Sequence, residues 1–202
     1  MPLRDRALPW IVFALCLIPV GHLIFRAFTN DLGVNPIETL HRQLGVWALR
    51  FVIGGLAITP IARLLRQPKL IRLRRPIGLA AFLYVVLHLT NYVAIDQYFD
   101  WPAIWRDILK RPYITFGMLG FLLLAPLAAT SFNAAIRKVG PRTWRTLHRL
   151  VYAVGALGVL HYYLLVKADH GPPLVYGVIL AALLLYRIIA WARARPRPAK
   201  PS

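Results

Sequence analysis

Six apolar runs constrain this chain more than any other feature. They cover residues 8–28, 44–64, 77–95, 113–130, 147–166 and 174–191. Each is close to the about 20 helical residues that cross a bilayer's hydrocarbon core. A lipid core offers the backbone no hydrogen-bond partners, so runs of this length must be helices. Together they use most of the 202 residues, and 58% of the chain is hydrophobic. The expected architecture is an all-α membrane protein of six transmembrane helices. Residues 1–191 form a single domain, and a basic, proline-rich tail over 192–202 is expected to be disordered. The first run is longer than the apolar core of a signal peptide and shows no A-x-A cleavage site, so it reads as a retained helix.

The net charge of +18 would suit nucleic acid, but its distribution points elsewhere. With the N-terminus placed inside, eighteen basic residues and one acid, Asp5, fall on the inner side. The outer side holds six basic residues and six acids, and Arg50 lies within the second run. This is the positive-inside bias, and it orients both termini to the cytoplasm. The basic excess then faces anionic lipid headgroups. Cys16 is the one cysteine, so thiol redox pairs and four-thiolate clusters are excluded within one chain. No G-x-G-x-x-G, Walker, G-x-S-x-G or H-E-x-x-H motif occurs.

What remains for chemistry is histidine, and intramembrane histidines are costly and usually functional. His88 lies 12 residues past Pro76 and His161 lies 14 past Leu147. At 1.5 Å per residue these are heights of about 18 and 21 Å from the inner side. Two imidazoles at one height on different helices meet the need of an iron with two axial ligands. A hydrogen bond to a neighbouring helix is the alternative for either alone.

His148 starts the same run as His161, with Gly155 and Gly158 between them leaving room for a flat ligand. Thirteen residues leave the two histidines roughly 140° apart around an ideal helix. A kink near the two glycines would reduce this. At the height of His148 the third run offers Arg74 and Arg75, which are not metal ligands. His148 therefore reads as a ligand to a second haem, as a contact to a propionate, flavin phosphate or quinone, or as a helix-start histidine. Arg74 and Arg75 read as topological anchors or as ligands for an anionic cofactor group or partner. His41, at the outer boundary, could serve a quinone, a propionate or a partner protein, or be a solvated loop residue. Arg50 and Arg42 are candidates to pair with propionates at the outer site. His22 reads as structural and His170 as exposed. The outer segments 29–43 and 96–112 carry mixed charge and aromatics suited to docking. In the first, Glu38 to Arg42 suggests a short interfacial helix ahead of the second span. In the second, WPAIWRDILKRP reads as an amphipathic interfacial helix.

The segments LGVNPIETLHRQLGVWAL, LIRLRRPIGL, AFLYVVLHLTNY, RPYITFGM, LAATS and LHRLVY…LHYYLLVK, over roughly residues 32–167, resemble the MsrQ family (older name YedZ). This is the haem-binding membrane subunit of the periplasmic protein-methionine-sulfoxide reductase system, within the ferric-reductase-like transmembrane group. The resemblance implies a haem b electron-transfer subunit of the bacterial inner membrane, the redox partner of an oxidoreductase rather than its catalytic subunit. It implies haem b and FMN as cofactors and the quinone pool or a cytosolic flavin reductase as donor. The acceptor would be a periplasmic molybdopterin reductase that repairs oxidised envelope proteins. The family's functional histidines fall on His88, His148 and His161, and His41 lies in a family motif. The residues alone also admit a stand-alone ferric or quinone reductase of the cytochrome b561 kind, or a non-redox protein with structural histidines.

Overall fold

Proline decides where the first apolar run bends. The computed structural model describes residues 3–193, so all but the first two residues of the expected basic tail lie outside them. The run splits into α1 (Leu3–Cys16) and α2 (Ile18–Phe28), with Pro19 in the first turn of α2. Pro19 has no N–H for the carbonyl four residues back. One residue on, Tyr84 enters the break. Its hydroxyl accepts from the Val20 N–H at 2.8 Å and donates to the Cys16 carbonyl at 2.9 Å. These are the two groups that an unbroken helix would pair with each other. Tyr84 is 0% exposed, so its hydroxyl satisfies both where no water reaches.

The described residues are mostly helical, with no strand among them. The remaining helices are α3 (Pro36–Leu64), α4 (Arg74–Thr90), α5 (Trp101–Lys110), α6 (Pro112–Ala129), α7 (Asn133–Val139), α8 (Pro141–Leu147), α9 (Val151–Leu165) and α10 (Gly171–Arg193). α4 is the centre of the bundle. Its Ala80 and Ala81 are fully buried, and these small side chains let neighbouring backbones approach closely. One core cluster joins Leu23, Leu32, Leu44, Ala48 and Tyr84; a second joins Val52, Ala81, Leu124, Leu127 and Val154. α9 packs against α6, α10 and α3. Large apolar side chains such as Phe25, Leu122, Val178 and Leu185 point outward. A water-soluble protein would not leave so many exposed, and a hydrocarbon surround accounts for them.

Five helical segments are long and apolar enough to cross a membrane: Ala7–Phe28, Pro36–Leu64, Pro68–Asp96, Pro112–Ala129 and Gly171–Arg193. The chain is therefore a multi-pass membrane protein. The run 147–166, expected as one regular span, departs from that expectation. α9 proper has 15 residues, and His148–Leu150 ahead of it form a turn of 3-10 helix. The second run also differs. The expected short interfacial helix is the first turns of a continuous 29-residue α3, capped where the Asn35 side chain accepts from the Glu38 N–H at 3.3 Å. Pro60 does not interrupt it. The amphipathic helix over WPAIWRDILK is present as α5, capped by Asp100 accepting from the Ala103 N–H at 2.9 Å.

Candidate functional site

His88 stands two residues before the end of α4, where the helix widens into a π-helical turn over Asn91–Asp96. Such turns re-aim side chains and recur at functional sites. The His88 Nδ1–H donates to the His41 carbonyl on α3 at 2.9 Å. A carbonyl only accepts, so Nδ1 carries the proton and Nε2 keeps its lone pair. The His41 ring stacks on His88 with centroids 3.9 Å apart. Gly45, one turn along α3 from His41, faces the same ring. A Cβ there would lie 3.0 Å from His88 Cε1.

His161, on α9, repeats this arrangement. Its Nδ1–H donates to the Tyr113 carbonyl at the start of α6 at 2.6 Å. Gly117, one turn along α6, faces the ring, and a Cβ there would lie 2.9 Å from Nδ1. Each histidine thus has a backbone carbonyl that fixes its tautomer and a glycine, one turn on, that makes room for it. The carbonyl contact is the outer partner that ligating histidines require. The rings of His88 and His161 are 6.1 Å apart and nearly perpendicular, at 88°. Two metal–nitrogen bonds of about 2 Å each, plus the inner half of each ring, span about 6 Å. Among the described residues no group of three or more His, Cys, Asp or Glu is arranged around a bare metal ion. Two imidazoles with preset lone pairs at this separation would suit a haem iron, and His88 and His161 are the residues that would hold it.

His148 lies at the other end of α9. Its Nδ1–H donates to the Trp144 carbonyl at 3.1 Å and its ring stacks on Trp144, with centroids 4.0 Å apart. The Trp144 indole in turn donates to the Thr130 carbonyl at 2.9 Å, holding α8 against the end of α6. The buried His148 Nε2 has no partner. The Leu127 carbonyl lies near enough to act on the same ring. The 3-10 turn bears on the angle between His148 and His161. Three residues at 3.0 per turn add about 60° over α-helical geometry and cut the roughly 140° separation to about 80°. Gly155 and Gly158, expected to leave room for a flat ligand, instead admit helix neighbours. Leu180 and Leu56 abut the first and Leu49 the second.

The arginines divide. Arg74 lies close enough to His148 and Arg187 to act on both electrostatically. Arg75 donates to Asn133 Oδ1 at 2.9 Å, tying α4 to α7. Arg50 is exposed; its Nε donates to the Tyr176 hydroxyl at 2.9 Å and its guanidinium lies over the Trp47 ring at 4.6 Å. Arg42 and His22 are exposed. His170, expected to be exposed, is half-buried against Tyr163 with ring centroids 4.7 Å apart.

Gly45, Gly117, the Tyr113 carbonyl and Asn91 were not singled out from the sequence. Asn91 is 2% exposed; its amide lies 3.4 Å from His41 Nδ1 and its Oδ1 is unpaired. For Gly45 the sequence held a signal, a glycine four residues after the candidate His41; Gly117 stands four after Tyr113, which nothing marked.

The ferric reductase like transmembrane component family matches residues 44–159, which take in His88 and His148 and stop two residues short of His161. The protein-methionine-sulfoxide reductase heme-binding subunit MsrQ of Caulobacter vibrioides is 54% identical over 186 residues, covering 92% of this chain and 89% of that protein. Its counterpart from Rhodospirillum rubrum is 48% identical over 199 residues, covering 98% of this chain and 96% of that protein. The counterpart from Polaromonas naphthalenivorans is 47% identical over 190 residues, 93% of this chain and 87% of that protein. With a family match across more than half its length and close relatives along nearly all of it, the chain belongs to the MsrQ family of ferric-reductase-like transmembrane proteins.

Proposed function

We propose that this chain is a haem b electron-transfer subunit. It takes electrons from quinol or a cytosolic flavin donor and delivers them across the bacterial inner membrane to a periplasmic molybdopterin protein-methionine-sulfoxide reductase. The observation that carries the reading is the pair His88 and His161, 6.1 Å apart, each with Nδ1 committed to a backbone carbonyl. A haem iron held by two imidazoles supplies one-electron transfer and leaves no open position for a substrate. That chemistry suits a subunit that passes electrons to a separate catalytic partner.

The residues divide the work. The His41 and Tyr113 carbonyls orient the two rings and raise their basicity, as outer partners of ligating histidines do. Gly45 and Gly117 let α3 and α6 close on the rings without displacing them. His148, beside Arg74, supports reading the inner end as a second haem site or the place where electrons come in. Its height one end of α9 from His161 supports a path along that helix. Six spans with both termini inside follow from the charge bias if α9 and its 3-10 turn cross together. FMN rests on the family resemblance, and no residue is assigned to it.

A reconstitution assay tests the role. The purified subunit, supplied with reduced quinol or a reduced flavin, should reduce a periplasmic methionine-sulfoxide reductase partner at a rate that depends on both proteins. Rapid reduction of ferric chelates with no transfer to such a partner would favour the stand-alone reductase of the cytochrome b561 kind and sink the subunit reading.

A further inference from the structure

A second site lies near the same end of α9 as His148, one turn further along the helix at Tyr152. It is a cavity of about 310 Å³ between the C-terminal turns of α3, the start of α9 and the C-terminal turns of α10. Its lining holds Thr59, Arg63, Tyr152, Tyr186, Arg187 and Trp191. His148 is not among them; it turns instead to Trp144 and the end of α6.

Arg187 is the floor of this cavity. It donates to the Leu56 carbonyl at 2.8 Å and to the Tyr152 hydroxyl at 3.2 Å. These contacts fix the guanidinium, yet none neutralises it. Its Nε is buried and has no partner, and neither has the Thr59 hydroxyl in the same lining. Two residues of one cavity lining thus hold buried, unpartnered polar atoms, beside two positive charges. Six of the chain's seven acids, Asp31, Glu38, Asp96, Asp100, Asp107 and Asp169, lie at the other end of the helices. No ion pair among the described residues reaches Arg63 or Arg187. A fixed, half-buried cation with no counter-charge is costly until an anion meets it. The group that fits has several acceptor oxygens and negative charge, which is a phosphate.

The surroundings select the kind of phosphate. Leu64 is exposed beside Arg63, and Ile188 is exposed beside Arg187. Trp191, 60% exposed, caps the same end and is the residue type that settles at headgroup level. Basic pockets between helices at the cytoplasmic face of a membrane hold anionic headgroups. We propose that this cavity binds the phosphate headgroup of an anionic glycerophospholipid, whose acyl chains lie along the exposed apolar faces of α3 and α10. The Arg187 guanidinium attracts the phosphate from below and Arg63 closes on it from the rim. The bound lipid bridges the ends of α3 and α10. The proposal rests on the membrane reading and is independent of the haem.

The test uses the full chain in nanodiscs or mild detergent, probed with phosphatidylglycerol and with phosphatidylcholine. Native mass spectrometry should show one phosphatidylglycerol retained per chain in preference to phosphatidylcholine. Phosphatidylglycerol should also raise the melting temperature more, by an amount that falls as salt rises. Arg187→Gln should weaken retention at least tenfold. Arg63→Gln, at the exposed rim, keeps the helix contacts of Arg187 and should weaken retention several-fold with the visible spectrum unchanged. Equal retention of the two lipids, or wild-type retention in both variants, overturns the site. Equal stabilisation by inorganic phosphate alone overturns the lipid as its source. A missing haem spectrum with lipid still selectively bound would reject the redox reading and leave this one standing.

Discussion

Gly117→Ala is the sharpest single perturbation of the proposed haem site. The added Cβ would stand 2.9 Å from His161 Nδ1 and 3.1 Å from Cε1, whereas ordinary contact begins at 3.4 Å. The ring must therefore retreat by about 0.5 Å in a tightly packed interior. It has little freedom to do so, because its Nδ1–H is already held 2.6 Å from the Tyr113 carbonyl. Retreat lengthens or breaks that bond and turns Nε2 from its set direction. A buried donor left unpaired costs about 1–3 kcal/mol. At about 1.4 kcal/mol per factor of ten, haem retention should weaken roughly 5- to 150-fold. Gly120→Ala on the same helix is the control, since its Cβ would meet Leu157 Cβ at an ordinary 3.8 Å. The assay is haem per protein by pyridine haemochrome, read with a thermal melt of each variant. Wild-type haem content and band position in Gly117→Ala would refute the claim that this glycine seats a ligand.

Three further outcomes follow from the geometry. Gly45→Ala, with its Cβ 3.0 Å from His88 Cε1, should shift the haem's reduction potential or lower its occupancy; an unchanged redox titration would count against the matched seats. Tyr84→Phe keeps the ring but strips the bond donor and acceptor from the break at Pro19, leaving the Val20 N–H and the Cys16 carbonyl unpaired. At about 1–3 kcal/mol per buried group it should lower the melting temperature by several degrees, and an unchanged melt would show that water reaches the break. His148→Ala should leave the spectrum of the His88–His161 site in place while slowing reduction from the inner side, as stopped-flow with reduced quinol would record; full-rate reduction would remove His148 from the path.

Height was the part of the site most legible in the sequence. A fixed rise per residue brought His88 and His161 to one level, and the structure sets their rings 6.1 Å apart. What height alone lacks is rotation. The angle between His148 and His161 depends on a 3-10 turn, His148–Leu150, that leaves no mark in an apolar pattern. The glycines show the same limit. Gly155 and Gly158 drew notice because they lie between two histidines, but they face Leu180, Leu56 and Leu49. Gly45 and Gly117 lie on other helices, and their role appears only when α3 and α6 are packed against α4 and α9. The run lengths correctly marked the long apolar helices, five of which reach spanning length, whereas the fifth run yields a shorter α9. The Tyr84 bridge was not legible, because the partner lies 64 residues from Val20.

The central claim is that His88 and His161 hold one haem iron between them. Electron paramagnetic resonance of the oxidised, purified protein tests it most directly. Imidazole planes crossed at 88° should give a strongly anisotropic low-spin ferric signal, and His88→Ala and His161→Ala should each abolish it. A wild type with no strongly anisotropic low-spin signal, or one in which that signal survives either substitution, would contradict the pairing.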